Sequence, residues 1–231
     1  MPDEEGNSDG MKIRYLLPEN SQKDGLKKCD DDLYDKLYGI VQPVKIRNGK
    51  VISKGLRKVE KIEKENILPA NTICYSNRLV EIPRNQWVEQ GLEKLKNCDV
   101  VFFDPDNGFP VYDDEKQKYK TQKHHKSGPK YIYHDEVVKY YKRGQSLIIY
   151  QHRDMKKKKE YLKRFWKVKD IKPNAIFYLS WHRGSARDYL FVLNSNHNNK
   201  IRPIIEEMRK SNWFKDRRPR FKLPHFTFHE L

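Results

Sequence analysis

The densest group of potentially catalytic side chains lies in the segment Asp99–Pro110, which reads DVVFFDPDNGFP. Its apolar run predicts a strand buried on both faces, and Asp104, Asp106 and Asn107 follow at the carboxyl end of that strand. Ligands of open α/β sheets bind just outside the carboxyl ends of the strands. The pattern therefore predicts an active site at this strand end. The alternative is a plain tight turn, because Asp, Asn and Gly tolerate positive φ angles.

Three further residues could complete a site with these carboxylates. Glu136 lies in a predicted helix, whereas Gln151 and His152 end the next apolar run. Carboxylate oxygens are the ligands that Mg²⁺ prefers, so Asp104, Asp106 and Glu136 are candidate metal ligands for phosphodiester cleavage. Gln151 or His152 would then position the attacking water. The alternatives are a solvated helical carboxylate for Glu136 and a loop-binding histidine for His152.

A second group of candidates suits phosphate binding. The segment HRGSAR contains His182, Arg183 and Arg187 between two apolar runs. Two arginines beside small residues favour contact with a phosphate, although an exposed hairpin loop would read the same way. Additional basic candidates for contact with nucleic acid are Lys126, Lys130 and Arg153.

The charge of the chain favours a polyanionic partner. The 231 residues include 48 Lys and Arg against 32 Asp and Glu, which gives a net charge of +16. Such an excess is typical of proteins that bind nucleic acid, and the 12% of aromatic residues offer surfaces on which bases could stack. We therefore predict a nucleic acid, DNA or RNA, as the partner. A partner protein or a second copy of the chain is compatible with the same sequence.

Localisation is predicted from what the sequence lacks. No run approaches the roughly 20 apolar residues of a membrane span, and the acidic start MPDEEGNSDG does not resemble a signal peptide. Cys29, Cys74 and Cys98 are far apart and have no metal-ligand spacing. We predict a cytoplasmic protein with reduced thiols and no membrane association.

The order of periodic segments predicts the fold. Strands are expected at 72–75, 99–104, 146–151, 175–181 and 188–193, and helices at 30–39, 87–95, 131–142, 156–168 and, capped by Asn199, up to 208. This order predicts an α/β, Rossmann-like, mostly parallel sheet with 99–104 in its centre, an antiparallel C-terminal hairpin as its edge, and helices on both faces.

The sequence also predicts how the chain is divided into a domain, an insertion and a tail. Residues 1–212 are predicted to form a single domain in which the lysine-rich segment 41–70 is a candidate insertion. Residues 111–128 are expected to be a mobile loop over the strand ends. Residues 213–231 are expected to form a basic tail.

Asp104-Pro105-Asp106-Asn107, together with the strand, helix, strand, helix and hairpin that it opens, resembles the C-terminal half of class I S-adenosylmethionine-dependent amino-methyltransferases. The resemblance implies that Asp104 and the Pro105 carbonyl hold the amine of an adenine or cytosine. The family has proline and an aromatic residue where this chain has Asp106 and Asn107. Phe109 is therefore the candidate for stacking on the base.

The chain more closely resembles an uncharacterised bacterial family with the motifs PDxxxxxDGxKIxYL, FFDPDNGL, KYxYxDE and GxSLxxYQH. The matching segments are Pro2–Leu16, Phe102–Phe109, Lys130–Glu136 and Gly144–His152. Members of that family carry an earlier FGDxxDYxKYxLLR block that this sequence lacks. The resemblance implies no particular activity.

Three functions follow as hypotheses. Amino-methyl transfer to nucleic acid ranks first, although the sequence has no glycine-rich turn after a first strand for S-adenosylmethionine, and Glu81 is its sole candidate for the ribose. A Mg²⁺-dependent nuclease of the restriction or defence type ranks second. A non-catalytic module that binds nucleic acid is the third.

Overall fold

The structure, a computed structural model, describes residues 16, 25–41, 46–47, 50–51, 60–65, 67–77, 79, 81–153, 158–182, 187–215 and 224–231. The helices within these ranges are α1 (Leu26–Cys29), α2 (Asp31–Val41), α3 (Glu60–Lys64), α4 (Arg84–Lys94), α5 (His134–Lys142), α6 (Lys158–Trp166), α7 (Ser195–Lys210) and α8 (Asn212–Lys215). Two 3₁₀ turns occupy Gly128–Lys130 and Lys167–Ile171. None of these helices is long and apolar enough to cross a membrane.

The strands form one main sheet and two short hairpins. They are β1 (Ile46–Arg47), β2 (Lys50–Val51), β3 (Val100–Phe103), β4 (Tyr112–Asp113), β5 (Lys118–Tyr119), β6 (Ser146–His152), β7 (Ala175–Trp181), β8 (Arg187–Leu193) and β9 (Phe226–Glu230). The main sheet has the order β3-β6-β8-β7-β9, whereas β1 pairs with β2 and β4 pairs with β5.

The chain has a mixed α/β fold, and the expectation of a mostly parallel sheet is wrong. Among the described strands, only β3 and β6 pair in parallel, and the other three pairings of the main sheet are antiparallel. The β7–β8 hairpin forms as predicted, but β8 lies between β6 and β7, so it reverses the strand direction inside the sheet. The hairpin is therefore internal, and β3 and β9 are the two edges among the described strands.

The edge position of β3 also changes its burial. Val101 and Phe103 are buried, but Val100 and Phe102 are 36% and 53% exposed, so β3 alternates instead of being buried on both faces. The neighbouring strand β6 follows the same rule, because Leu147 and Ile149 are fully buried on the side of Val101. One face of the sheet is thus closed at this edge and the other is open.

Helices pack on both faces of the main sheet. On the closed face, α4, α5 and α6 contribute Val88, Val137 and Phe165 to the core over β3 and β6. On the opposite face, Ile205 of α7 packs with Phe177 over β7 and β8. The closed face carries the larger cluster, and the segment after β3 is built onto it.

Four local expectations need correction. Residues 72–75 form no strand; the Tyr75 hydroxyl instead donates to the Trp87 carbonyl and ties the segment to α4. Helix α7 begins at Ser195, because Asn194 and not Asn199 caps it by accepting the Asn196 N–H. The expected loop at 111–128 contains the β4–β5 hairpin. The expected basic tail ends in the strand β9, whose sequence FTFHE alternates between apolar and polar residues although most of them are half-buried.

Candidate functional site

The carboxyl ends of β3 and β6 lie at the same edge of the sheet because these strands are parallel. The segment after β3 is held there by the side chain of Gln151. Its Nε2 donates to the Asn107 carbonyl at 2.8 Å, and its Oε1 accepts the Phe109 N–H at 2.7 Å. Gly108, at φ +78°, leaves no room for a Cβ beside Gln151. The amide of Gln151 is therefore used to hold the loop.

The opposite side of this loop is fixed by backbone and side-chain bonds. The Asn107 N–H donates to the Lys130 carbonyl at 2.9 Å, and the Gly108 carbonyl accepts the Ile132 N–H at 3.1 Å. Arg164 of α6 donates to the Phe109 carbonyl at 2.8 Å. The backbone of Asn107–Phe109 is consequently bound from three directions, which fixes the position of the carboxylates that precede it.

Phe109 is fully buried and stacks on His134 with ring centroids 4.1 Å apart. His134 Nε2 donates to the Arg164 carbonyl, which can only accept, so Nδ1 accepts the Tyr119 hydroxyl at 3.3 Å. Burial lowers the pKa of His134 to about 4 and keeps the ring neutral. Phe109 is therefore a core residue, and the idea that it stacks on a base is wrong.

Asp104 and Asp106 meet Arg187 and Tyr150 on the open face. Removal from water and then the charge of Asp106 raise the pKa of Asp104, and Arg187 opposes that rise. Arg187 also acts on the Tyr150 hydroxyl and opposes the rise that burial gives to the pKa of that hydroxyl. The four side chains thus form one electrostatic group at the strand end.

Two buried polar atoms of this group have no hydrogen-bond partner among the described residues. They are Oδ1 of Asp106 and Nε of Arg187. A buried polar atom without a partner is costly unless a ligand or water supplies the missing bond. The strand end therefore offers both an acceptor and a donor to a molecule bound there.

Glu136 does not join this group. Its carboxylate forms an ion pair with Arg84 at 2.5 Å and accepts the Tyr133 N–H at 2.9 Å, which caps α5. Arg84 also donates to the Tyr131 carbonyl. Glu136 is buried in this structural network and is not placed to share a metal with Asp104. No group of three or more His, Cys, Asp and Glu side chains with the geometry of a metal site occurs in the described ranges.

The basic candidates are distributed over several places. Arg153 donates to the fully buried Asp188 at 2.8 Å and to Ser180 Oγ at 2.7 Å, so its guanidinium is engaged inside the protein. His182 Nε2 contacts Thr227 Oγ1 at 2.8 Å. Of the described members of this set, only Arg187 lies in the group at the end of β3. Arg183 falls outside the described residues.

The remaining candidates border the site. His152 is half-buried and pairs with Arg187 across β6 and β8, so both project from the open face. Lys126 and Lys130 are exposed around the Gly128–Lys130 turn. They lie on the segment whose backbone holds Asn107, and the structure leaves their ammonium groups available to an anion.

Sequence reasoning missed the aromatic side chains of the open face. The Phe102 ring lies 6.4 Å from that of Tyr189, and Tyr189 lies 5.9 Å from Tyr150. The available signal was the alternation of SLIIYQH, which places Tyr150 and His152 on the face opposite Gln151. These rings form a continuous surface beside Asp104.

A serine, a histidine and an aspartate also meet near the start of α7. Ser146 Oγ lies 3.0 Å from His197 Nδ1, and His197 Nε2 lies 3.4 Å from Asp99. Ser146 is fully buried and accepts the Asn194 N–H, so no substrate can reach its hydroxyl. This trio joins β6 to α7 and is not a nucleophilic site.

Comparison with known proteins adds no relative: no protein-family model, no curated protein and no solved structure matches the chain. The functional interpretation consequently rests on the geometry of the strand end and on the charge of the chain.

Proposed function

We propose that this protein binds nucleic acid and holds the amino group of a base at the carboxyl end of β3. The observation that carries the proposal is the group of Asp104, Asp106, Tyr150 and Arg187, in which a buried acceptor and a buried donor lack partners. A nucleotide offers the complementary groups, because its base carries amine N–H donors and its phosphate carries acceptors.

Each residue has a distinct part in this proposal. The Asp104 carboxylate accepts a hydrogen bond from the exocyclic amine, and the nearby Asp106 adds a second acceptor. The Arg187 guanidinium binds a phosphate oxygen, since charge-assisted bonds to phosphate are the strong ones. Tyr150 and Tyr189 supply ring faces for the base, in place of the buried Phe109.

Methyl transfer is the reaction that the resemblance to amino-methyltransferases implies, and the observed order β3, α5, β6, α6 and the β7–β8 hairpin supports it. The described residues do not provide the glycine-rich turn that binding of S-adenosylmethionine requires. The main sheet contains no described strand before β3 from which such a turn could come. No step of the proposed function goes through that cofactor.

Metal-assisted cleavage is the second candidate, and the mutual repulsion of Asp104 and Asp106 favours it. The charge of Asp106 contributes to the raised pKa of Asp104. A divalent cation would stabilise the charged forms of these carboxylates, as an amine would. Since Glu136 is engaged by Arg84, the described residues offer Asp104 and Asp106 for that ion, together with water.

Binding is tested first, with fluorescent single- and double-stranded oligonucleotides titrated at several salt concentrations. Arg187→Ala should weaken binding by about tenfold, and wild-type affinity should fall steeply as salt rises from about 50 to 200 mM. Arg202→Ala is the matched control, because that half-buried arginine is already paired with Glu230. An affinity that is independent of salt, or unaffected by Arg187→Ala, contradicts the proposal.

The reaction is tested by substitution of Asp104. Asn keeps an acceptor oxygen without the charge, so Asp104→Asn should still bind the base amine but nearly abolish Mg²⁺- or Mn²⁺-dependent cleavage; methyl transfer from labelled S-adenosylmethionine is assayed in parallel. Asp104→Ala should remove either activity. Binding without either activity in the wild type leaves the non-catalytic module, and turnover that survives Asp104→Ala removes this strand end from the reaction.

A further inference from the structure

One tryptophan is exposed and is not part of the buried core. Trp166, at the end of α6, is 43% exposed, whereas Tyr161, Phe165 and Val168 are buried at i, i+4 and i+7 on the inner face of the same segment. Trp166 follows Phe165 and so points about 100° away from that face. The helix therefore leaves much of its large apolar ring in contact with solvent.

Lysines accompany this ring. Lys163, one turn earlier, places its Nζ 5.9 Å from the Trp166 ring centroid, and the next residue, Lys167, places its Nζ 3.7 Å above the ring of Tyr112 in β4. We call Tyr112, Lys163, Trp166 and Lys167 the lysine–aromatic surface. It joins the last turn of α6 to the β4–β5 hairpin.

The lysines of this surface, like Lys126 and Lys130, belong to the described lysines that have no described carboxylate partner. Neither Lys163 nor Lys167 forms an ion pair with a carboxylate of the described residues. Carboxylates do partner the described lysines Lys27, Lys96, Lys123, Lys139 and Lys210. Lys169 and Lys172 follow on the same segment, which carries one acid, Asp170, after Lys167. The positive charge here is left without internal neutralisation.

We propose that the lysine–aromatic surface binds an unpaired nucleic-acid strand, with Trp166 stacking on a base and the lysines contacting phosphates. Lysines without a described carboxylate partner, beside the exposed ring of Trp166 and the half-buried ring of Tyr112, suit single-strand binding, because phosphates need charge and unpaired bases offer ring faces. A duplex hides those faces in its stack. The proposal rests on the proposed function and extends it to a second contact, with single strands as the preferred ligand.

Helix α6 connects this surface to the strand end. Arg164, next to Lys163, points inward and donates to the Phe109 carbonyl, so the same helical turn fixes the loop after Asp104 and presents the lysines outward. The β4 strand that supplies Tyr112 begins three residues after Phe109. A strand of nucleic acid held on α6 is thereby attached to the element that positions the proposed base site.

The test measures binding of fluorescein-labelled oligothymidylate by anisotropy. Trp166→Ala should weaken binding about tenfold, and Trp166→Phe, which keeps a ring, should weaken it far less. Lys163→Gln with Lys167→Gln should lower the slope of log affinity against log salt by about 1.4, since each phosphate contact to a single strand contributes about 0.7. Duplex DNA should bind more weakly and respond less to Trp166→Ala.

The matched controls separate this surface from the charge of the whole chain. Lys96→Gln with Lys139→Gln removes the same charge from lysines that are already paired, and Ile204→Ala removes an exposed apolar side chain from α7. Both should leave affinity and slope nearly unchanged.

The outcomes also separate the two proposals. If the wild type binds and loses affinity with Arg187→Ala but not with the Trp166 or lysine variants, the proposed function stands and this surface is not a contact. Absence of wild-type binding overturns both. If heparin or polyglutamate competes as well as oligothymidylate and Trp166→Ala has no effect, the surface is a general polyanion or acidic-protein contact and the strand proposal is wrong.

Discussion

The two faces of the sheet at the ends of β6 and β8 use similar residues for different purposes. Cross-strand partners project from the same face, so Gln151 and Asp188 lie on the closed face while His152 and Arg187 lie on the open face. On the closed face, Asp188 is bound by Arg153, and Gln151 is bound to the loop after β3. On the open face, an oxygen of Asp106 and a nitrogen of Arg187 have no described partner.

Unused hydrogen-bonding capacity separates functional from structural polar residues in this fold. Gln151 and Asp188 have no exposed surface and are fully engaged, so they contribute to stability and to the position of the loop. Arg187 and Asp104 retain binding capacity that the described protein leaves unused. Residue type alone therefore does not distinguish structural from functional residues. The number of hydrogen bonds that a buried polar side chain still lacks does.

The largest effect that tests this comparison is on stability. Asp188→Ala should lower the free energy of unfolding by about 3 kcal/mol, the lower end of the range for a broken buried pair, because Arg153 keeps some access to water. Arg187→Ala, one residue away, should change it by less than about 0.5 kcal/mol. Urea denaturation of both variants measures the difference.

The contrast in nucleic-acid binding should be reversed for the same pair. Arg187→Ala should lose affinity, while a folded Asp188→Asn variant should retain most of it. Equal losses of stability in Asp188→Ala and Arg187→Ala would mean that the two faces are not distinct.

A smaller loss is expected for the residue that holds the loop. Gln151→Ala leaves the Phe109 N–H and the Asn107 carbonyl without their partner, which should cost about 2 kcal/mol of unfolding free energy. His152→Ala, the adjacent open-face control, should cost less than about 0.5 kcal/mol. Thermal or urea unfolding distinguishes the two variants. A Gln151→Ala protein as stable as the wild type would contradict the role of Gln151 in holding the loop after β3.

Much of the local structure could be predicted from the sequence. The apolar periods identified β3, β6, the β7–β8 hairpin and the helices that pack on them, because these segments bury one continuous stripe or face. The position of Asp104 and Asp106 at a strand end followed from the same pattern. The parallel pairing of β3 with β6 was also expected.

The parts that could not be predicted depend on long-range pairing. Nothing near β8 indicates that it lies between β6 and β7. The alternation of FTFHE in β9 spans only five residues, so it does not indicate that this segment pairs with β7. Arg84 is 52 residues from Glu136 along the chain, so their ion pair could not be anticipated from spacing. The same holds for Arg153 and Asp188. Glu136 and Arg153 were therefore predicted to be site residues, although both form structural ion pairs with residues that are distant in the sequence.

The smallest expected effect concerns the pH dependence of the open face. There, Asp104 feels the charge of Asp106, whereas on the closed face the charge of Asp188 is neutralised by Arg153. The pKa of Asp104 is raised by its removal from water and by Asp106, so Asp106→Asn should lower it, and Arg187→Ala should raise it further. Titration of the labelled Asp104 carboxyl carbon by NMR measures both changes.

The sign of the accompanying stability change follows from proton binding. An acid whose pKa is higher in the folded protein binds more protons when folded, so stability falls as pH rises from the ordinary aspartate value of 3.8 through the raised pKa. That fall should be shallower in Asp106→Asn and absent in Asp104→Asn. A bound amine donor or cation should reduce it in the wild type, because either one stabilises the charged carboxylate. If Asp104 titrates identically with and without Asp106, the two carboxylates do not interact, and the open face loses the electrostatic feature that sets it apart from the closed one.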